Sequence, residues 1–429
     1  MAERSGTVVL DPEQRRLSIL ANIAGNAVEW FDFAIYGAFA LTIGRVFFPS
    51  DDPTTSLLAS FGTFAAGFLA RPFGGLVFGQ IGDRIGRRWA LLLSVGMMSI
   101  PTLLLGLLPG YETLGIAAPA ILIGLRILQG LSAGGEYITS IVYLAESAPP
   151  RSRALASSWS IFGSVVGALA GSALAALLTE ALSPEQLESY GWRIAFLAGF
   201  AMALLGLLLR RALPDIEAET ESEDSKGLPI VQALRRHFGD VMRVVGLNLA
   251  YGIVWYITFV YVVSWLTDRV GEPQSEAHTI NTVSMIAMLL LTPVMAALSD
   301  RFGRRPFLLF GAGALAVAAW PAFWLMDHPN VAMILAGELL LVTLLAFYTS
   351  SMPAVFAELF PSAVRITAVG AGYNLSAALF GGMVPLVATW LVGTTGDDLS
   401  IAWLLSAACL ISFLVALKVP ESAFTPLPD

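Results

Sequence analysis

Charge is scarce in this chain, and so are the residues that most often do chemistry. Asp, Glu, Lys and Arg make up 13% of its 429 residues, where a soluble domain carries about twice that share. Most of the surface must therefore meet lipid or other helices rather than water. A single cysteine, Cys409, excludes an internal disulfide and leaves the redox compartment open. Only three histidines occur, His237, His278 and His328, none in the interior of a long apolar run, so proton transfer inside a membrane would rest on carboxylates. There is no His-rich metal cluster and no paired catalytic set, which argues against an enzyme, a metal or an organic cofactor. The net charge of −8 offers nothing to a nucleic-acid partner.

What is plentiful is apolar sequence, at 56% of residues with a mean hydropathy of +0.73. Crossing a bilayer as a helix takes about 20 such residues, and twelve runs qualify: 18–43, 56–79, 89–109, 116–145, 154–179, 193–212, 243–267, 277–299, 306–326, 331–357, 363–391 and 400–419. The first is too long for a signal-peptide core and lacks a cleavage site, so it reads as an uncleaved span. Between the sixth and seventh lies an acidic, turn-rich stretch with Glu217, Glu219, Glu221, Glu223 and Asp224. The expected organisation is a six-helix bundle over 1–213, a solvated linker over 214–240 and a second six-helix bundle over 241–429. Placing the N-terminus in the cytoplasm puts nineteen of the 24 Lys and Arg residues on that side, Arg210 and Arg211 among them. Only Arg45, Arg193 and Arg269 fall outside, and Arg71 and Arg126 lie within spans. That bias sets the orientation, and an even number of spans returns the C-terminus to the cytoplasm.

The two halves repeat. Gly79-Gln-Ile-Gly-Asp-Arg-Ile-Gly-Arg-Arg88 recurs as Ala296-Ala-Leu-Ser-Asp-Arg-Phe-Gly-Arg-Arg305, 217 residues on. Glu146 with Pro149 and Arg153 recurs as Glu358 with Pro361 and Arg365, 212 residues on. Two signatures at nearly one spacing mean a duplicated half, the architecture of a class of secondary transporter. The motif G-x-x-x-D-R-x-G-R-R, after the second span of each half, resembles the signature of the major facilitator superfamily. That resemblance implies an all-α membrane protein of 12 transmembrane helices in two pseudo-symmetric bundles. It also implies that Asp83, Arg84, Arg87, Arg88, Glu146 and Arg153, with Asp300, Arg301, Arg304, Arg305, Glu358 and Arg365, form a cytoplasmic gate. Such a latch would favour the outward-open state, and breaking it would shift the population inward. A topology anchor needs only positive charge, and so does not account for the repeated Asp and Gly. Glu146 and Glu358 are candidate partners for Arg84, Arg87, Arg301 or Arg304.

Ionisable residues inside spans are costly, and so are candidates for function. On span one, Asn22, Asn26, Glu29, Asp32 and Tyr36 share an arc at 100° per residue. Arg126, Gln129, Glu136, Tyr137 and Ser140 do the same on span four. Two polar stripes on apolar helices should face each other or a wet cavity. In the second half Glu338 is the one clearly buried acid, and Asn248, Tyr251, Trp255 and Thr258 share a face of span seven. Tyr348 lies on span ten, and Tyr373 and Asn374 lie on span eleven. Gly163, Gly167 and Gly171 give span five a smooth face for close helix packing.

Gly25-Asn-x-x-Glu-Trp-Phe-Asp-Phe33, Arg71-Pro-Phe-Gly-Gly75, Arg126-x-x-Gln-Gly-x-x-x-Gly-Gly-Glu136 and Phe380-Gly-Gly-x-x-Pro385 together resemble the metabolite:proton symporter family. Shorter stretches, Ala65 to Pro72 and Leu108 to Gly115, look most like its 2-oxoglutarate and citrate branch. The resemblance implies proton-driven import of a small organic acid, a di- or tricarboxylate, by alternating access in the bacterial inner membrane. The proton gradient would take the place of a cofactor, and the monomer would be the functional unit. Asp32, Glu29 and Glu136 become candidates for proton coupling. Arg126, Tyr36, Gln129, Arg71, Tyr251, Trp255, Tyr373 and Asn374 become candidates for substrate. Each has a plainer role open to it: Glu29 as a hydrogen-bond partner of neighbouring helices, Arg71 in half-to-half packing, Glu136 as an anchor of span four. The Gly-Pro pair that marks span five of many exchangers in the superfamily is absent, which favours symport. Proline, glycine betaine or a shikimate-like metabolite is the alternative cargo. The roughly ten residues after the last span argue against osmosensing, and the lack of a signalling domain against a transporter-like receptor.

Overall fold

The computed structural model describes residues 11–211, 213, 229–397 and 399–428, and every regular element among them is helical. The acidic residues 217–224 expected in the linker lie outside the described residues. Among the described residues, nine of the twelve spans are helical stretches long and apolar enough to cross a bilayer. The first is a pair, Pro12–Ala38 and Ala40–Phe47, bent by 68° at Phe39. The eleventh is also a pair, Arg365–Phe380 and Val384–Thr395, interrupted at its Gly381-Gly382 step. The twelfth, Ser400–Ala416, has 17 residues. Span seven carries two π-helical turns, Ile257–Tyr261 and Leu266–Val270.

The helices start and stop for local reasons. Asp11 accepts a hydrogen bond from the Gln14 amide at 2.8 Å and Pro12 pre-sets the first turn, so span one begins there. Asn330 does the same for span ten through the Ala332 amide. Both repeated loops turn at their glycine. Gly86 has φ 133° and ψ 149°, and Gly303 has φ 106° and ψ 158°, a region closed to residues with a Cβ. The next helix, Arg87–Leu107 or Arg304–Met326, starts directly after it. That conformational demand is why the motif keeps glycine at this position.

The described residues within 10–144 and 159–230 form one compact unit, and those within 145–158 and 231–429 form another. The two units repeat one packing scheme. In the first, span three lies on six and one on six, while glycines bring two against four and one against five. In the second, nine lies on twelve, seven on twelve, eight on ten and seven on eleven. The duplication read from two short signatures thus extends to the helix contacts.

Glycine sets the closest of these approaches. The Gly163, Gly167 and Gly171 face lies directly on the span-one backbone at Ile23, Ala27 and Phe31. Gly130 and Gly134 likewise lie on the carbonyl oxygens of Gly67 and Arg71, and Gly74 on that of Leu131. This crossing of spans two and four fixes the helix positions from which Arg71 and Arg126 project. A Cβ at Gly134 would fall inside the van der Waals shell of the Arg71 carbonyl, and backbone cannot swing aside. Gly134→Ala is therefore expected to cost about 1–3 kcal/mol by overpacking. Gly96, around which a Cβ meets nothing within 4 Å, provides the contrast. There Gly96→Ala should gain roughly 0.5–1 kcal/mol from helix propensity. Melting of the purified variants in detergent reads both, and equal melting temperatures would refute the packing argument.

Candidate functional site

In the first unit the two polar stripes meet. Asp32 and Arg126, 1% and 2% exposed, are joined at 2.5 Å through Oδ2 and Nη1. The other carboxylate oxygen of Asp32 accepts from Gln129 Nε2 at 2.9 Å and from Thr102 Oγ1 at 3.1 Å. Arg126 Nη1 also donates to Gln129 Oε1 at 2.6 Å. Its guanidinium lies 3.7 Å from the centre of the Tyr36 ring, and the Tyr36 hydroxyl donates to the Ser60 carbonyl. Two donors of Arg126, Nε and Nη2, have no hydrogen-bond partner. They form one edge of the fork, the geometry that grips a single carboxylate.

Two further pairs lie beside it. Glu29 accepts from Arg71 at 3.1 Å, and the Arg71 guanidinium lies over the Phe33 and Phe68 rings at 4.7 and 4.4 Å. Glu136 is held by both terminal nitrogens of Arg210 and by the Ser94 hydroxyl. Arg210 was expected at the cytoplasmic surface, at the end of span six. It is instead fully buried and also donates to the Leu91 carbonyl at 3.1 Å. Gly25 on span one leaves the room that its guanidinium occupies. The sequence did carry a signal, because Gly199, Ala203, Gly206 and Arg210 lie on one buried stripe of span six at helical spacing. Tyr137 and Ser140 are buried further along span four, with Ser140 linking Asn26 to Ser160.

In the second unit the expected polar residues are buried but charge-poor. Tyr251 and Trp255 have ring centres 5.6 Å apart, and Trp255 and Phe259 4.7 Å. Tyr348 donates to the Leu247 carbonyl at 2.6 Å, and Asn374 to that of Gly370 at 3.0 Å. Tyr373 is buried on the same span as Asn374, and Asn248 on the same span as Tyr251.

The two repeated loops each carry an ion pair between the Asp and the Arg four residues on. In the first, Arg87 pairs with Asp83 at 3.7 Å and donates to the Gly82 carbonyl. Arg88 donates to the Arg211 carbonyl, while Arg84 is exposed. In the second, Asp300 pairs with Arg304 at 2.8 Å and accepts the Ala154 and Leu155 amides at 3.0 and 2.9 Å. It thereby caps the start of span five, where a carboxylate satisfies unpaired amides and complements the helix dipole. Glu358 takes Arg304 at 3.4 Å and Arg153 at 3.6 Å, and Glu146 pairs with Arg365. Arg301 is exposed, over the Phe302 ring. Of the candidate partners for the two glutamates, Glu358 with Arg304 is present, whereas the Arg365 partner of Glu146 was not anticipated.

The segment after span twelve also enters this cluster. Glu421 accepts the Arg304 and Arg305 amides at 2.8 and 3.0 Å, capping span nine as Asp300 caps span five. Ser422 donates to Glu358, Arg153 to the Thr425 carbonyl and Arg365 to the Pro428 carbonyl. Arg305 donates to the Leu417 carbonyl. Nothing in a short polar tail marks these contacts in the sequence.

Two repeated bundles of membrane-length helices, with buried ion pairs inside one and a twice-used charged loop, define a multi-pass membrane carrier. Residues 17–222 match the sugar (and other) transporter family and residues 244–427 the Major Facilitator Superfamily. The proline/betaine transporter of Salmonella typhimurium is 36% identical over 98% of this chain and 86% of its own length. The glycine betaine/proline/ectoine/pipecolic acid transporter of Dickeya dadantii is 35% identical over the same shares. The chain belongs to the major facilitator superfamily. In fold it is similar to the proton:xylose symporter XylE, with a TM-score of 0.82 at 18% identity over 97% and 98% of the two chains. It is also similar to the human organic anion transporter MFSD10, at 0.73 and 15% over 95% and 100%. The relatives correct the expected branch: they are named for proline and betaine, not for 2-oxoglutarate or citrate.

Removing one partner of a buried pair leaves an uncompensated charge, whereas replacing both with apolar residues is often neutral. Arg210→Ala is thus expected to cost about 3–5 kcal/mol, and Arg210→Met combined with Glu136→Leu should recover most of that loss. Detergent melting measures both; a single variant no worse than a surface substitution would mean that the pair is not buried as described.

Proposed function

We propose that the chain is a proton-coupled symporter of a small zwitterion, proline or glycine betaine. The observation that carries this reading is the charge balance of the first unit. Arg126, Arg71 and Arg210 each have their own carboxylate, in Asp32, Glu29 and Glu136. A di- or tricarboxylate would bring negative charge with no uncompensated cation there to receive it, and desolvating it would be costly. A zwitterion brings no net charge. The substrates in the names of the two relatives share one chemistry, a single carboxylate and a cationic nitrogen. The unpartnered Nε and Nη2 edge of Arg126 suits that carboxylate.

In this reading Asp32 is the proton carrier. While ionised it neutralises Arg126; once protonated it releases the guanidinium to the substrate carboxylate, so proton and substrate favour each other's binding. Glu29 with Arg71 and Glu136 with Arg210 hold the surrounding helices. The Asp300, Arg304, Glu358 and Arg365 cluster is the gate, holding the start of span five against the second repeat. The protein would work as a monomer in the bacterial inner membrane with both termini in the cytoplasm.

Uptake of labelled proline into proteoliposomes tests the substrate and the carrier together. Excess glycine betaine should compete, and 2-oxoglutarate or citrate should not. Asp32→Asn should abolish uptake against a gradient while sparing counterflow; full concentrative uptake by that variant would remove Asp32 from the proton path. At the gate, Asp300→Asn is expected to lower turnover more than apparent affinity, because it uncaps span five without touching substrate. Unchanged turnover would leave the cluster a structural feature only.

A further inference from the structure

The second unit holds a carboxylate that the reading above does not use. Glu338 is fully buried on span ten, and both of its carboxylate oxygens lack a hydrogen-bond partner. The polar group it faces is the Ser284 hydroxyl of span eight, itself fully buried and without a partner. Every other span-embedded acid described so far has an arginine. Glu338 has none.

Its place in the repeat is equally specific. Glu338 lies twenty residues before Glu358 on the unbroken helix Val331–Glu358. Arg126 lies twenty residues before Glu146 on the unbroken helix Ala117–Glu146. Since Glu146 and Glu358 are repeat counterparts, Glu338 occupies in the second half the position that Arg126 holds in the first. Spans eight and ten, which bring Ser284 to Glu338, pack as spans two and four do.

Among the described residues, no other titratable group compensates it. On span eight, Glu276 and His278 lie toward one end and Asp300 and Arg301 at the other, with His278 six residues from Ser284, or about 9 Å along the helix. On span nine, Arg304 and Arg305 are at the far end, beside Glu358, and Asp327 follows the near end. Span seven and its two π turns contribute Asp240, Arg243, Tyr251, Tyr256, Tyr261 and Arg269, and span eleven Arg365 and Tyr373. Glu338 forms no ion pair with any of these, and none donates a hydrogen bond to its oxygens. An ionised carboxylate is not sustained in such surroundings without a partner. One carboxyl and one hydroxyl are also too few ligands for a metal cation, but they suffice for a proton shared toward a serine.

We propose that Glu338, with Ser284, is a second proton-binding site, carrying a proton in the state seen and exchanging it as spans eight and ten rearrange during transport. Binding is simple protonation of the carboxylate, with release of the same proton to water.

Infrared spectroscopy of the reconstituted full chain tests the site without any substrate. At neutral pH the wild type should show a protonated-carboxyl stretch that shifts in heavy water and is missing from Glu338→Gln. It should persist at a shifted frequency in Ser284→Ala. Glutamine keeps the shape and neutrality of the protonated acid, so the fold should survive. Identical carboxyl bands in wild type and Glu338→Gln would overturn the proposal. Loss of the band on adding sodium chloride at fixed pH would also overturn it, in favour of a metal cation. The role in transport rests on the symport reading and has its own test. The reversal potential of proline flux under set pH gradients should show fewer protons moved per proline in Glu338→Gln, and an unchanged ratio would exclude exchange during turnover. If neither proline nor betaine is transported, the substrate reading fails, and the infrared result still decides whether Glu338 binds a proton.

Discussion

A charge in the middle of a bilayer must be compensated where it stands, because neither lipid nor a packed apolar helix can solvate it. In the first unit the compensation is supplied across helices. Asp32 and Arg126 join spans one and four, Glu29 and Arg71 join one and two, and Glu136 and Arg210 join four and six. Glycine brings the helix axes close enough for these reaches, at Gly130 and Gly134 against span two and at Gly163 and Gly167 against span one. Gly25 does so more directly, since its missing Cβ leaves the space that the Arg210 guanidinium fills. Pairs of this kind are weak sources of stability, because apolar residues of similar volume would often do as well. For Asp32 and Arg126 the proposed mechanism uses what a charged pair can do and an apolar one cannot: one partner is neutralised by a proton, and the other then takes a new anion.

Much of this arrangement was legible in the sequence because helical geometry is regular. The 100° spacing that puts Asn22, Asn26, Glu29, Asp32 and Tyr36 on one face needs no structure, and all five are buried. So are Arg126, Gln129 and Glu136. The motif glycines, Gly86 and Gly303, were readable as sharp turns because only glycine takes their backbone angles. What stayed hidden was the identity of partners that depend on the crossing of distant helices. Arg71 could have packed or bound; the crossing of spans two and four brings it to Glu29. Arg210 stands next to Arg211 at the end of an apolar run, and a count of basic residues by side treats the two alike. Only Arg210 continues the small-residue stripe that turns inward. The bend at Phe39 had no proline to announce it, and the contacts of Glu421 join residues more than a hundred positions apart.

The loops show what the duplication keeps. Both keep Asp, Arg, Gly and Arg-Arg, both turn at a positive-φ glycine, and both pair the Asp with the Arg four residues on. Yet Asp300 also caps span five, and Glu421 caps span nine. A helix start exposes several amides at once, so one carboxylate there satisfies two donors and meets the positive end of the dipole. In the second repeat the signature thus serves as a junction of several chain segments. Positive charge alone would have anchored topology; the conserved spacing of Asp to Gly makes the carboxylate available at the right height for a helix start.

The divergence inside the membrane follows the same compensation rule by two routes. At one repeat position the first half has Arg126 and supplies Asp32 as its countercharge. At the matching position the second half has Glu338 and, among the described residues, supplies no cation. An arginine has no accessible neutral form, so its compensation has to be another residue or an anionic ligand. A carboxylate can be neutralised by the smallest ligand there is. In the proposed mechanism, placing the permanent charge in one repeat and the titratable one at its counterpart in the other makes both positions conditional, the first on which carboxylate Arg126 holds and the second on whether a proton is bound. A carrier that must change state only when loaded needs conditions of this kind, and a fully satisfied apolar core would provide none.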